Sequence, residues 1–170
     1  VLWIGDARID LFCGEMIVKN KWIAAIALTL VASVGASAAM AAKFSLDGVK
    51  CMMMPAKSVK EDKFVEYKDA KVYFCCPGCV KKFSADSKPF AAKANHQLVL
   101  TKQYEQKKCP MSGGDLNPEQ SITVGGVKVG FCCGNCKGKA EKMEGDAQVE
   151  ALFGEEAFKK GEYTLVKEEK

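Results

Sequence analysis

VYFCCPGCVKKF, residues 72–83, and VGFCCGNCKGKA, residues 129–140, decide how this chain is read. Each carries two adjacent cysteines and then a third, Cys75-Cys76-x-x-Cys79 and Cys132-Cys133-x-x-Cys136. Placed one under the other, Lys71-Val-x-Phe-Cys-Cys-x-x-Cys79 and Lys128-Val-x-Phe-Cys-Cys-x-x-Cys136 coincide without a gap. Upstream, Cys51 and Cys109 stand at nearly the same distance from these clusters, and each is followed by methionine, small residues and a proline or glycine. This is an internal repeat whose two copies agree most where the sulfur is.

Local signals around the clusters predict the same elements twice. Phe64–Tyr67, the turn Lys68-Asp69-Ala70 and Lys71–Phe74 read as strand, tight turn, strand. In the second copy Gly125-Gly126 separates Ser121–Val124 from Val127–Val129, a stronger hairpin signal because both turn positions tolerate positive φ. A short helix follows each cluster, from Cys79 to Ser84 or beyond and from Cys136 to Glu144, with Pro77 placed near a first helical turn. A weaker helix is expected from Pro89 to Ala94. A longer one is expected from Ala147 to Lys160, where Val149, Leu152, Phe153 and Phe158 recur at roughly helical spacing. Gln97–Leu100 and Tyr163–Val166 read as apolar extended stretches closing the copies. The expected fold class is α+β: two tandem units, residues 42–104 and 105–170, each an extended knuckle with one cysteine, a β-hairpin and a short helix.

Ahead of the repeats, the basic segment Met16–Lys21, the apolar run Trp22–Val34 and the small residues Ala36–Ala41 have the order of a bacterial secretory signal peptide, residues 16–41. If uncleaved, the same segment would be an N-terminal membrane anchor. Residues 1–15 are expected to be an upstream extension, with Met16 the initiator and Cys13 outside the mature protein. Export predicts a periplasmic or secreted location. The net charge of +4 is small, and lysines alternate with Glu and Asp through 57–71 and 137–170, a solvated surface that does not point to nucleic acid or a polybasic membrane contact.

The mature chain then holds Cys51, Cys75, Cys76 and Cys79, followed by Cys109, Cys132, Cys133 and Cys136. An oxidising compartment favours disulfides for an even cysteine count. Spacing favours metal: two turns each offering sulfur are the usual way to build a tetrahedral zinc site, and a helix N-terminus favours the thiolate that binds it. Units this small bury little core and need a staple of either kind. The pairs Cys76-Pro-Gly-Cys79 and Cys133-Gly-Asn-Cys136 also match C-x-x-C redox spacing, although no βαβ pattern surrounds them. Met52-Met53-Met54 beside Cys51 either offers thioethers to Cu(I) or fills a small core. His96 is expected on the surface or in a loop, and Phe74 and Phe131 in the core between helix and hairpin.

The arrangement Cys51…Phe74-Cys75-x3-Cys79 and Cys109-Pro-Met-Ser-Gly113…Phe131-Cys132-x3-Cys136 resembles the TRASH/YHS group of small metal-binding domains, themselves similar to treble-clef zinc fingers. The resemblance covers roughly 49–86 and 107–144. It implies one metal on Cys51, Cys75 and Cys79 and another on Cys109, Cys132 and Cys136. It also implies roles of the kind found in metal sensing, trafficking and resistance. A full treble clef would carry a second knuckle cysteine where this chain has Met54 and Ser112. Cys76 and Cys133 can supply that fourth sulfur, or the position stays open for water, a substrate metal or a protein partner. The expected function is an exported protein binding about one Zn(II) per unit, with Cu(I) or another soft metal as the alternative cargo. A periplasmic thiol-disulfide protein is the alternative reading. No constellation of nucleophile, base or phosphate loop predicts an enzyme.

Overall fold

The computed structural model describes residues 44–167. The expected signal segment, residues 16–41, and the upstream residues 1–15 with Cys13 lie outside the described residues. The fold is α+β, built from helices and small two-stranded antiparallel sheets. Strand β1 (Lys50–Cys51) turns through Met52 and Met53 onto β2 (Met54–Ser58), and β3 (Lys60–Tyr67) pairs with β4 (Ala70–Phe74). Helix α1 (Pro77–Ala85), a 3₁₀ turn (Lys88–Phe90) and α2 (Ala91–Leu100) complete the first half. The second half runs β5 (Tyr104–Glu105), β6 (Asn117–Val124), β7 (Val127–Phe131), α3 (Gly134–Glu141), α4 (Gly145–Phe153), α5 (Glu155–Lys160) and β8 (Thr164–Leu165), the last pairing with β5.

The two main hairpins share an irregularity as well as a sequence. In the first, Lys60 faces Phe74 and Phe64 faces Tyr73; in the second, Asn117 faces Phe131 and Ser121 faces Gly130. The outer strand of each hairpin therefore bulges at the same place, opposite the residues that lead into the cysteine cluster. The turns differ in cost. Gly125 and Gly126 take φ of +53° and +87° freely, whereas Lys68 and Asp69 hold φ of +52° and +59° with a Cβ. Lys68 is tied down on both sides: Tyr104 donates from its hydroxyl to the Lys68 carbonyl at 2.6 Å, and the Lys68 ammonium meets Glu155 at 2.7 Å.

Phe74 and Phe131 are fully buried, as expected, and each anchors one apolar cluster. In the first, Phe74 lies 5.3 Å from the ring of Phe83 on α1, and burying such a ring stabilises by about 1.5–3 kcal/mol. Tyr104 packs against both clusters. Helix α2 also bridges them, lying against β4 and α4. Asn95 on α2 donates to the Phe153 carbonyl at 2.8 Å.

Three expectations are corrected. Gln97–Leu100 is helical, not extended: Leu98-Val99-Leu100 is an apolar run of ambiguous period, and the alanine-rich stretch ahead of it carries the helix through to Leu100, burying Ala94 and Leu98 on one face. The expected single helix from Ala147 to Lys160 is two, divided at Gly154, whose extended ψ of 161° ends α4 and starts α5. A Cβ at Gly154 would stand 2.5 Å from the Glu150 carbonyl oxygen, so the close approach requires glycine. His96 is neither surface nor loop. It sits half-buried on α2, edge-on to Phe153 at 4.9 Å, and its Nε2–H donates to the Val124 carbonyl at 3.0 Å.

Candidate metal centres

Each cysteine cluster is placed by the junction of hairpin and helix. Strand β4 ends at Phe74, Cys75 follows, and Cys76 is the N-cap of α1, with Pro77 at the first helical position, where its missing N–H has no partner to lose. Cys79 comes round one turn later, on the same helical face as Cys75 and Cys76. The second copy repeats this with Phe131, Cys132, the N-cap Cys133 and Cys136 on α3. The helices begin two residues earlier than Cys79 and Cys136, so both sulfurs stand in a first turn and not ahead of it.

Opposite them, tight turns deliver the upstream cysteines. Cys51 faces Met54 across the turn between β1 and β2. Cys109 is held by hydrogen bonds from its own N–H to the Gly114 carbonyl, 2.9 Å, and from the Gly113 N–H to its carbonyl, 2.7 Å. The outcome is two triads, Cys51–Cys75–Cys79 and Cys109–Cys132–Cys136, in each of which all three sulfurs lie within 4.8 Å of one another. The first triad is buried throughout; in the second only Cys109 is buried. Cys76 and Cys133 stand at the rims, 3.6 Å from the sulfurs of Cys79 and Cys132 respectively.

These spacings suit a metal ion. Four sulfurs bound tetrahedrally at about 2.3 Å are separated along each edge by about 3.8 Å, whereas a disulfide joins its sulfurs at about 2.05 Å. Cys75 and Cys79 are 3.9 Å apart and Cys132 and Cys136 are 3.7 Å apart. All eight cysteines among the described residues are free thiols. The donor set of each triad, one sulfur from a tight turn converging with two from a helix start, fits a thiophilic ion.

In both triads the turn cysteine and the last cysteine are pushed in opposite directions. Burial opposes the Cys109 thiolate, but the Ser112 side chain and the amides of Cys132, Ser112 and Met111 outweigh it, bringing the thiol down to about 7. Burial likewise opposes the Cys51 thiolate, and the amides of Cys75, Met53 and Met54 again prevail, holding the group below the usual thiol range. Cys79 and Cys136 go the other way, each pushed up to about 12 by burial and by the neighbouring sulfurs. At the rims, the amides at the helix starts, those of Cys79 and Gly78 for Cys76 and those of Cys136 and Asn135 for Cys133, lower both thiols. In each cluster the turn thus favours the thiolate of Cys51 or Cys109, while burial and the surrounding sulfurs oppose one at Cys79 or Cys136.

The methionine triplet divides. Met52 and Met53 pack against the first apolar cluster, while Met54 is 38% exposed and points its sulfur at Cys75, 3.9 Å away. Ser112, its counterpart, places Oγ 3.1 Å from the Cys132 sulfur. His96 faces Val124 and Phe153, between the repeats.

Three glutamines went unread in the sequence. Gln97 accepts from the Tyr73 N–H at 2.6 Å and donates to its carbonyl at 3.0 Å. Gln103 does the same for Lys71 at 2.8 Å and 2.8 Å, and Gln106 for Gly130 at 2.9 Å and 2.8 Å. Each amide pairs with the outer edge of β4 or β7 as a strand would, immediately ahead of the cysteines. The only signal available was a polar Gln97 on the apolar face of a helix. Among protein-family models, curated proteins and solved structures, none matches this chain.

Proposed function

We propose that this is an exported, non-enzymatic metal-binding protein made of two TRASH/YHS-like, treble-clef-like units, each holding one zinc ion on its cysteine triad. The observation that carries this reading is the recurrence of one sulfur geometry: two triads, each formed by a turn cysteine and two cysteines flanking a helix start, at tetrahedral-edge separations. Cys51, Cys75 and Cys79 would hold one ion and Cys109, Cys132 and Cys136 the other, with Cys76 and Cys133 as reserve fourth sulfurs. A bound divalent ion would supply the charge that lets the crowded thiols ionise together and would tie each turn to its helix. The chain's own contribution is to orient the sulfurs: amides at the turns favour one thiolate, and the glutamine clamps hold the strands that lead into the clusters. On this reading the protein holds or passes on metal in the periplasm or outside the cell.

The test is to express the full chain in a bacterium with a periplasm, isolate it anaerobically from the periplasmic fraction, and measure metal per chain beside free thiols. About two metals per chain, with thiols released on chelation, supports the reading. Protein that is metal-free and fully oxidised as isolated would overturn it in favour of a thiol-disulfide protein. A Cys76→Ser, Cys133→Ser double variant that keeps both ions at unchanged affinity would remove those two sulfurs from the ligand set.

A further inference from the structure

The two triads are not equivalent, and the difference lies at one position. Three residues after each turn cysteine stands Met54 in the first copy and Ser112 in the second. The Met54 sulfur is 3.9 Å from Cys75, the same separation as between Cys75 and Cys79, so it stands at a tetrahedral edge from its neighbour. Its exposure is unexpected on packing grounds, because Met52 and Met53 beside it are drawn into the apolar cluster while Met54 remains beside the Cys75 sulfur. In the second copy the same place is taken by a hydroxyl, Ser112 Oγ, 3.1 Å from Cys132 and also accepting from the Gly114 N–H at 3.3 Å. One centre therefore offers an additional neutral, polarisable sulfur and the other a hard oxygen.

We propose that the Cys51–Cys75–Cys79 centre, with Met54 as an additional donor, is a soft-metal site that exchanges Zn(II) for Cu(I), while the Cys109–Cys132–Cys136 centre beside Ser112 retains zinc. The proposal rests on the metal-binding reading of the same cysteines. Thioether sulfur is a good ligand for Cu(I), whereas zinc takes thiolate, imidazole and carboxylate, so Met54 adds affinity for one ion and little for the other. The exchange is a substitution without electron transfer: Zn(II) leaves, Cu(I) enters, and the difference of one positive charge is made up by a proton on one thiolate. The two repeats thus form one protein with two selectivities set by donor chemistry and not by access: a zinc-held unit beside Ser112, and a buried soft-ion triad with the exposed Met54 at its edge.

The experiment titrates the full zinc-loaded chain anaerobically with Cu(I) buffered by bicinchoninate, reading released zinc with a chromogenic chelator. In the wild type one zinc should leave first, and the second only at about 10-fold or more higher free Cu(I). Met54→Leu keeps the side-chain volume without the sulfur and should close that gap by raising the free Cu(I) needed for the first exchange about 10-fold. Ser112→Met should make the second centre exchange early as well. The zinc content of each variant, measured alongside, reports whether the triads still form. A wild-type chain that binds no zinc would overturn the metal-binding reading itself. Two zinc ions that leave together, or Met54→Leu that titrates like the wild type, would overturn the soft-site assignment alone.

Discussion

The side-chain amide of Gln97 forms two hydrogen bonds with the backbone of Tyr73, accepting at 2.6 Å and donating at 3.0 Å, and so closes the open edge of β4 two residues before Cys75. Both residues are buried, so removing the amide strands a donor and an acceptor away from water. Gln97→Ala should therefore destabilise the fold by about 2–6 kcal/mol, about 1–3 kcal/mol for each orphaned group. The check is the urea midpoint at unchanged slope. Gln103→Ala, whose bonds to Lys71 lie at an exposed edge, should cost less because water replaces the amide. Equal losses at the two positions would contradict this account.

The two centres sit in separate apolar clusters, each with its own turn cysteine. Cys51→Ser and Cys109→Ser should each lower the bound metal from about two ions per chain to about one, while the double variant binds none. Elemental analysis of protein isolated without added metal measures this directly. Loss of both ions from either single variant would mean that the centres depend on one another.

Chelation should lower stability as well as metal content. An ion bound only by the folded chain stabilises it by about 2.7 kcal/mol at a free concentration 100 times its dissociation constant. Thermal unfolding with and without a strong chelator should differ accordingly, and the Cys51→Ser, Cys109→Ser double variant should show no difference.

His96 gives a pH dependence with a definite sign. Burial against Phe153 outweighs the hydrogen bond to Val124 and holds its pKa below the ordinary 6.5. The folded state therefore favours the neutral ring. This contribution is complete above the unfolded pKa, begins to fall as pH drops below about 6.5, and is lost as pH passes through the lower folded value. The unfolding midpoint should decline over that window in the wild type and less steeply in His96→Gln. Parallel pH profiles for the two proteins would exclude His96 as the source.

Gly154 separates α4 from α5 because a side chain there would meet the Glu150 carbonyl oxygen at 2.5 Å. Gly154→Ala should cost about 1–3 kcal/mol through this overlap, measured as a shift in urea midpoint. Gly138, whose Cβ position has nothing within 4 Å, is the control: on α3 the same replacement should be neutral or stabilising by up to about 1 kcal/mol. The opposite order would show that α4 and α5 can move apart.

Much of this was legible along the chain. The hairpins follow from turn residues flanked by apolar strands, and a helix after each cluster was legible too, since these are local preferences acting over a few residues, although both helices start two residues earlier than expected. The triads were legible as well, because a hairpin returns the chain to where it began and so carries the cluster back to its turn cysteine. What was misread was ambiguous in period or depended on distant partners. Leu98-Val99-Leu100 suits strand or helix until Gln97 and Leu98 find β4 and the first apolar cluster. His96 is unremarkable in sequence until α2 meets the second hairpin and Phe153. The break at Gly154 depends on how closely two helices can approach, a distance that no propensity encodes.

Repetition of Cys51, Cys75 and Cys79 as Cys109, Cys132 and Cys136 pointed to two sulfur centres, because each hairpin carries its cysteine cluster back toward the turn cysteine. How the centres differ was settled in three dimensions. Met54 and Ser112 each turn toward the second cysteine of their triad, and side-chain direction across a tight turn is set by packing: Met52 and Met53 take the apolar space, and Met54 is left facing the sulfur of Cys75.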